Sequence, residues 1–98
     1  MYIPILKKQE SYSDMKAKLE EEVDELKEAI TNYAVYGKPI NAEEVCEEIF
    51  DVIQVCIGFL DKLETEGLDI EKATMDHLTK LINRKCWEIK KMFKIEVL

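Results

Sequence analysis

The sequence predicts an all-α protein, and three observations carry that prediction. Apolar residues recur at spacings of three and four over long stretches, which is the period of a helix. Only 3 glycines and 2 prolines occur, far fewer than a chain of many short strands and turns needs. Those breakers divide the chain into three helical stretches, at Gly37 with Pro39 and again at Gly67. We therefore expect a single domain over residues 1–98, with three main helices per chain.

The pattern places these helices at about residues 12–35, 42–65 and 70–93. Ser11 or Ser13 can start the first helix, since a hydroxyl accepts a hydrogen bond from an unpaired N–H of the first turn. Asn41 can cap the second, with Glu44 as its capping-box partner. Asp69 can cap the third.

The second helix is apolar over most of its circumference, which is typical of a helix surrounded by protein. A chain of 98 residues with three helices has too little core to enclose it. We therefore expect homo-oligomerisation to complete a four-helix-type bundle, as a homodimer or as a dimer of dimers, which is a homotetramer. Gly58 within this helix suggests a close helix crossing.

The composition indicates which classes of partner and which cellular compartment to expect. The formal charge is −7, which argues against nucleic acid, because phosphate backbones require a basic face. No apolar run approaches the ~20 residues that span a bilayer, and the amino terminus lacks the pattern of a signal peptide. The 3 cysteines form no C-x-x-C pair, which indicates reduced thiols, and we interpret them as small core residues. We expect a cytoplasmic protein without a membrane partner.

Carboxylates occupy apolar faces of the first two helices. Glu22 falls inside the apolar stripe of the first helix, and Glu25 lies on its margin. In the second helix, Asp51 and Gln54 are the polar side chains within the apolar run 49–60, and Glu48 lies beside Asp51 on the helical wheel. A solvated helix surface is the ordinary explanation of a charge run, but it does not explain acids on these faces.

Four acids gathered in one core would remain ionised only around cations, because burial and mutual repulsion both disfavour the charged form. Oxygen ligands without histidine or cysteine suit Mg²⁺ or Mn²⁺. The ferritin-like di-iron alternative requires Glu-x-x-His pairs, whereas His77 is the sole histidine and has no glutamate three residues before it. His77 is most simply a surface residue.

Two motifs together resemble a known family. Residues 21–25 read E-E-V-D-E and residues 47–51 read E-E-I-F-D. This order is similar to the E-E-x-x-E and E-E-x-x-D signature of the MazG-like all-α nucleoside triphosphate pyrophosphatases. The resemblance implies that Mg²⁺ is bound by four acids, Glu22, Glu25, Glu48 and Asp51. It also implies hydrolysis of a nucleoside triphosphate between its α- and β-phosphates, giving the monophosphate and pyrophosphate.

Further residues are candidates for the chemistry around that site. Glu21 and Glu47 each precede a candidate ligand, so they could complete a second metal position or take a proton from the attacking water, although exposed helix charge is an equal explanation. Lys80 and Arg84 share one side of the third helix and are our first choice for phosphate contacts, with Lys85 third.

The third helix matches the family in two alternative ways. Residues 83–85, N-R-K, resemble the N-x-K of longer MazG proteins, although Cys86 replaces their aromatic residue. Residues 80–87, K-L-I-N-R-K-C-W, look more like the K-L-x-x-R-G-W of short members. Both alternatives stay open on the sequence.

The sequence therefore predicts a Mg²⁺-dependent nucleotide pyrophosphohydrolase, with Mn²⁺ as a possible substitute ion. A competing hypothesis from another class is a non-catalytic helical module that dimerises through the same apolar faces. It explains the stripes and the acidity but not the acids within apolar surface. Within the fold, phosphoribosyl-ATP pyrophosphohydrolase is the other alternative, and the basic segment with Trp87 is not its usual ending.

Overall fold

The structure is a computed structural model that describes residues 2–84 and 88–92. Its described residues form three α-helices, α1 at Tyr12–Tyr36, α2 at Pro39–Thr65 and α3 at Ile70–Asn83, and contain no strand. The predicted all-α class and the number of main helices are confirmed. None of these described helices has the length and apolar character needed to cross a membrane.

Helix α1 begins and ends as its cap residues dictate. The Ser11 hydroxyl accepts a hydrogen bond from the Asp14 N–H at 3.1 Å, so Ser11 rather than Ser13 is the N-cap. At the other end Gly37 takes φ 58°, and its N–H donates to the Tyr33 carbonyl at 2.8 Å. A left-handed residue that closes the last turn in this way is most easily glycine.

Helix α2 begins three residues earlier than predicted, and its expected cap is wrong. Pro39 is the first helical residue, and its restricted φ suits the first turn, where its missing N–H costs no helical hydrogen bond. The Lys38 carbonyl accepts from the N–H groups of Asn41 at 2.9 Å and Ala42 at 3.3 Å. Asn41 therefore lies inside the helix, and the capping box with Glu44 does not form.

Helix α3 starts as predicted and ends earlier. Asp69 is the N-cap, and its carboxylate accepts from the Lys72 N–H at 3.0 Å. The helix ends at Asn83, and residues 88–92 are not helical, so the predicted extension to residue 93 is wrong there. Residues 85–87 and 93 lie outside the described residues. The described residues 88–92 are exposed, and apolar spacing alone does not sustain a helix without a packed face.

The chain divides into two compact units, and the boundary falls within α2 after Phe59. One unit is Ile5–Phe59, and the other joins residues 2–4 to the described residues from Leu60 onward. The prediction of a single domain stays a prediction. Cys46 and Cys56 form no disulfide and are exposed, so the interpretation of the cysteines as small core residues is wrong for these two.

Within the unit Ile5–Phe59, few side chains are buried. Met15 and Ala29 are the buried apolar residues of α1, and α2 buries none. Tyr12 stacks on Phe59 with ring centroids 6.3 Å apart. A Cβ added at Gly58 would lie 3.8 Å from Met15 Cε, an ordinary contact, so no close crossing within the chain requires this glycine. The apolar residues of α2 are therefore half-buried or exposed in the single chain, and none is fully buried.

Candidate metal centre

Helix α1 contributes two carboxylates from one side. Glu22 and Glu25 are three residues apart, a spacing that places two side chains on the same helix face. Glu22 is buried, with only 6% of its surface exposed, whereas Glu25 is exposed. The wheel argument that put Glu22 within the apolar stripe thus agrees with its burial in the folded chain.

Helix α2 contributes the second pair with the same spacing. Glu48 and Asp51 are both half-buried. One carboxylate oxygen from each of Glu22, Glu25, Glu48 and Asp51 lies within 4.8 Å of the other three. We call these residues the acidic cluster. The structure therefore brings together the four acids that were predicted to share a site.

Two carboxylates of the acidic cluster, Glu25 and Glu48, have raised pKa values because of burial and the neighbouring negative charges. The Glu22 carboxylate raises the pKa of Glu25 through a hydrogen bond and through repulsion. Desolvation raises the pKa of Glu48, and the neighbouring charges of Asp51 and Glu22 raise it further. The Lys18 ammonium lowers the pKa of Glu22 and so holds that carboxylate ionised. A cation among these oxygens would relieve the repulsion.

Two oxygens of the acidic cluster are buried without a hydrogen-bond partner. They are Glu22 Oε2 and Glu48 Oε2, one from each helix. A buried polar atom without a partner costs free energy, so native proteins normally satisfy it with a donor, water or ion. Carboxylate oxygens from rigid helices are also the ligands that Mg²⁺ and Mn²⁺ prefer. The donor set and its unpartnered oxygens therefore fit a divalent cation.

Lys18 contacts the acidic cluster and was missed by the sequence reasoning. Its Nζ lies 2.9 Å from Glu22 Oε1 and 3.8 Å from Glu21 Oε1. The signal was available, because a lysine four residues before a glutamate on a helix commonly pairs with it.

The two proposed proton acceptors are outside the acidic cluster. Glu21 is exposed and faces Lys18, and Glu47 is exposed on α2. Neither belongs to the set of oxygens that converge within 4.8 Å. Their roles stay predictions.

The candidate phosphate contacts lie on α3. Lys80 and Arg84 both line an open cavity of about 590 Å³. His77 is exposed at the same cavity, in agreement with its predicted surface position. The other lining residues are Asp76, Thr79 and Asn83. Lys85, the third phosphate candidate, lies outside the described residues.

Comparison with known proteins adds one positive finding. No curated protein and no solved structure matches the chain. A profile of the MazG nucleotide pyrophosphohydrolase domain matches residues 10–87, which include all three helices and every residue of the acidic cluster. That match spans most of the chain and agrees with the resemblance of the two acidic motifs. The protein therefore belongs to the MazG nucleotide pyrophosphohydrolase family.

Proposed function

We propose that the protein hydrolyses nucleoside triphosphates between the α- and β-phosphates, releasing a nucleoside monophosphate and pyrophosphate in a Mg²⁺-dependent reaction. The observation that carries the proposal is the acidic cluster, whose oxygens converge within 4.8 Å on two helices of a MazG domain. The unpartnered oxygens of Glu22 and Glu48 support a cation there. The competing hypothesis of a non-catalytic interaction module does not explain why four carboxylates converge.

The acidic cluster is proposed to hold the ion. Glu22 and Glu25 would bind it from α1, and Glu48 and Asp51 from α2. When bound, Mg²⁺ neutralises charge on phosphate oxygens and makes a nearby water easier to deprotonate. Mn²⁺ is expected to substitute, because it accepts the same oxygen ligands.

The remaining residues are proposed to act on the phosphates and on the water. Lys80 and Arg84 would bind phosphate oxygens through charge-assisted hydrogen bonds, with Lys85 as a further candidate. Glu21 or Glu47 would take the proton of the attacking water, because each directly precedes a residue of the acidic cluster.

We also propose that the working unit is a homodimer or homotetramer located in the cytoplasm. In the single chain α2 buries no residue, and Ile49 and Phe50 remain 40% and 41% exposed. Ile30 on α1 is 49% exposed. Apolar surface of this kind on helices typically packs against another helix, and a second copy of the chain presents the same self-complementary faces.

The test is a pyrophosphate-release assay with a panel of standard and modified nucleoside triphosphates, in Mg²⁺ or in EDTA. We expect pyrophosphate release in Mg²⁺ and none in EDTA. In Glu48→Gln the rate of release should fall by about 100-fold or more, because a neutral amide binds the ion weakly. Glu43→Gln on the exposed side of α2 is the matched control and should retain activity. A folded protein that is silent across the panel, and whose melting ignores Mg²⁺, would instead support the interaction module.

A further inference from the structure

Lys18 presents a problem that a metal site alone does not explain. Its Nζ donates to Glu22 Oε1 at 2.9 Å, and Glu22 Oε2 is buried without a partner. A positive charge this close to a metal ligand opposes a divalent cation by Coulomb repulsion. Lys18 therefore does not stabilise the acidic cluster while a metal ion is bound there.

The lysine does have a use while no ion is bound. The oxygens of the acidic cluster converge within 4.8 Å, so their mutual repulsion destabilises the folded chain unless a cation offsets it. Lys18 lies one helical turn before Glu22 on α1, so it reaches the carboxylate without any rearrangement of the backbone. It supplies a positive charge to the most buried member of the cluster.

The Lys18 side chain can also move away from Glu22. Its side chain is 48% exposed, whereas that of Glu22 is only 8% exposed. Glu21 Oε1 lies 3.8 Å from the same Nζ, and its side chain is 58% exposed, so it offers the ammonium group a second partner outside the acidic cluster. Movement of the ammonium from Glu22 toward Glu21 and water requires only a change of side-chain rotamer.

We propose that Lys18 is an exchangeable counter-ion, which offsets part of the negative charge of the acidic cluster in the metal-free protein and is displaced from Glu22 Oε1 when a divalent cation binds. The inference rests on the proposed metal site. In the metal-free protein, Lys18 reduces the repulsion between the carboxylates and so helps to keep them together. It also lowers the affinity of the site for the divalent cation, because the ammonium group must first be displaced. Lys18 is thus a positioning residue for the site and does not contact the substrate.

The test compares Lys18→Met with Lys18→Arg, which keeps the charge, and with Lys16→Met, an exposed lysine of α1 that lies outside the observed ion pairs. Titration calorimetry with Mg²⁺ alone, without nucleotide, gives the dissociation constant, and melting in EDTA gives the stability of the metal-free fold. Lys18→Met should bind Mg²⁺ roughly threefold to tenfold more tightly and melt at a lower temperature in EDTA. The two control variants should match the wild type.

A second measurement reports the displacement itself. Reductive methylation with carbon-13 labels the lysines, and Lys18→Arg identifies the Lys18 signal by its disappearance. Saturation with Mg²⁺ should shift the Lys18 signal and leave that of Lys16 in place. If Lys18→Met does not fold in EDTA, Lys18→Gln, which retains a hydrogen-bond donor, takes its place and should also bind Mg²⁺ more tightly.

The outcomes separate this inference from the proposed function. Wild-type protein that binds no Mg²⁺ would overturn both. Wild-type binding with unchanged or weaker affinity in Lys18→Met would overturn the exchange alone, and weaker affinity would mean that Lys18 holds Glu22 in place for the metal. An unmoved Lys18 signal on saturation, or unchanged melting of Lys18→Met in EDTA, would equally rule the exchange out.

Discussion

The acidic cluster and the two basic residues at the end of α3, Lys80 and Arg84, differ in how closely their charges are grouped and how exposed they are. The acidic cluster draws its members from two helices, buries Glu22 and brings its oxygens within 4.8 Å of one another. Lys80, in the last turn of α3, and Arg84, its C-cap, are exposed and line an open cavity. Charges that crowd together away from water interact strongly, whereas exposed charges are screened. The first arrangement suits a tightly held ion and the second a ligand that comes and goes.

Their surroundings differ as well. The acidic cluster lies among apolar helix faces that the single chain covers only in part, since Phe50, beside Asp51, is 41% exposed. The cavity on α3 is lined mainly by polar side chains. If a second copy covers one of these regions, the apolar faces of α1 and α2 are the better match. Three predictions test this contrast, from the largest expected effect to the smallest.

Phe50→Ser should weaken self-association by roughly 30-fold or more, because a large aromatic side chain at the centre of an interface contributes most of its energy through burial. Light scattering after size exclusion, over a range of protein concentrations, gives the mass. Val35→Ser, near the end of α1 and 67% exposed, is the matched apolar control and should keep the wild-type mass. A Phe50→Ser protein with unchanged mass at every concentration would place the interface elsewhere.

The double variant Lys80→Gln with Arg84→Gln should raise KM for the nucleotide by roughly tenfold, since each lost charge-assisted hydrogen bond weakens phosphate binding. Its affinity for Mg²⁺ alone should match the wild type, because metal and phosphate contacts are assigned to different regions. The double variant Lys16→Gln with Lys27→Gln on α1 controls for the change in net charge. Weakened Mg²⁺ binding in the double variant would contradict that division.

Lowering the pH from about 7 to about 5 should raise the melting temperature of the metal-free protein by a few degrees. The folded pKa values of Glu25 and Glu48 are raised, so the folded state binds protons before the unfolded state does. Their contribution to stability is complete below the unfolded pKa and is lost as the pH rises through the folded pKa.

Glu22 acts in the opposite direction, because its folded pKa is lowered and its contribution is lost as the pH falls through that value. Over the range from 7 to 5 it should remain ionised, so Glu25 and Glu48 dominate. The stabilisation by Mg²⁺ should shrink over the same range, since protons compete for its ligands. Melting curves with Mg²⁺ and with EDTA at each pH measure both effects. A metal-free melting temperature that falls steadily as the pH is lowered from about 7 to about 5 would contradict the assignment.

Much of the fold could be predicted from local chemistry. The helix starts of α1 and α3 follow from the sequence, because each depends on residues that are close together along the chain. The Ser11 hydroxyl and the Asp69 carboxylate each cap a backbone N–H three residues later. The start of α2 was missed because the preorganised ring of Pro39 prevailed over the polar side chain of Asn41. The end of α3 was missed because apolar spacing continues past Asn83 while the helix does not.

The acidic cluster shows where sequence and tertiary structure divide. Helical spacing alone pairs Glu22 with Glu25 and Glu48 with Asp51, because three residues make nearly one turn. Only the tertiary structure decided that the two pairs meet within 4.8 Å and that Glu22 is buried. Periodicity gives the direction of a side chain around its own helix axis. The distance between helices and the burial of a charge depend on how the helices pack, which no local pattern encodes.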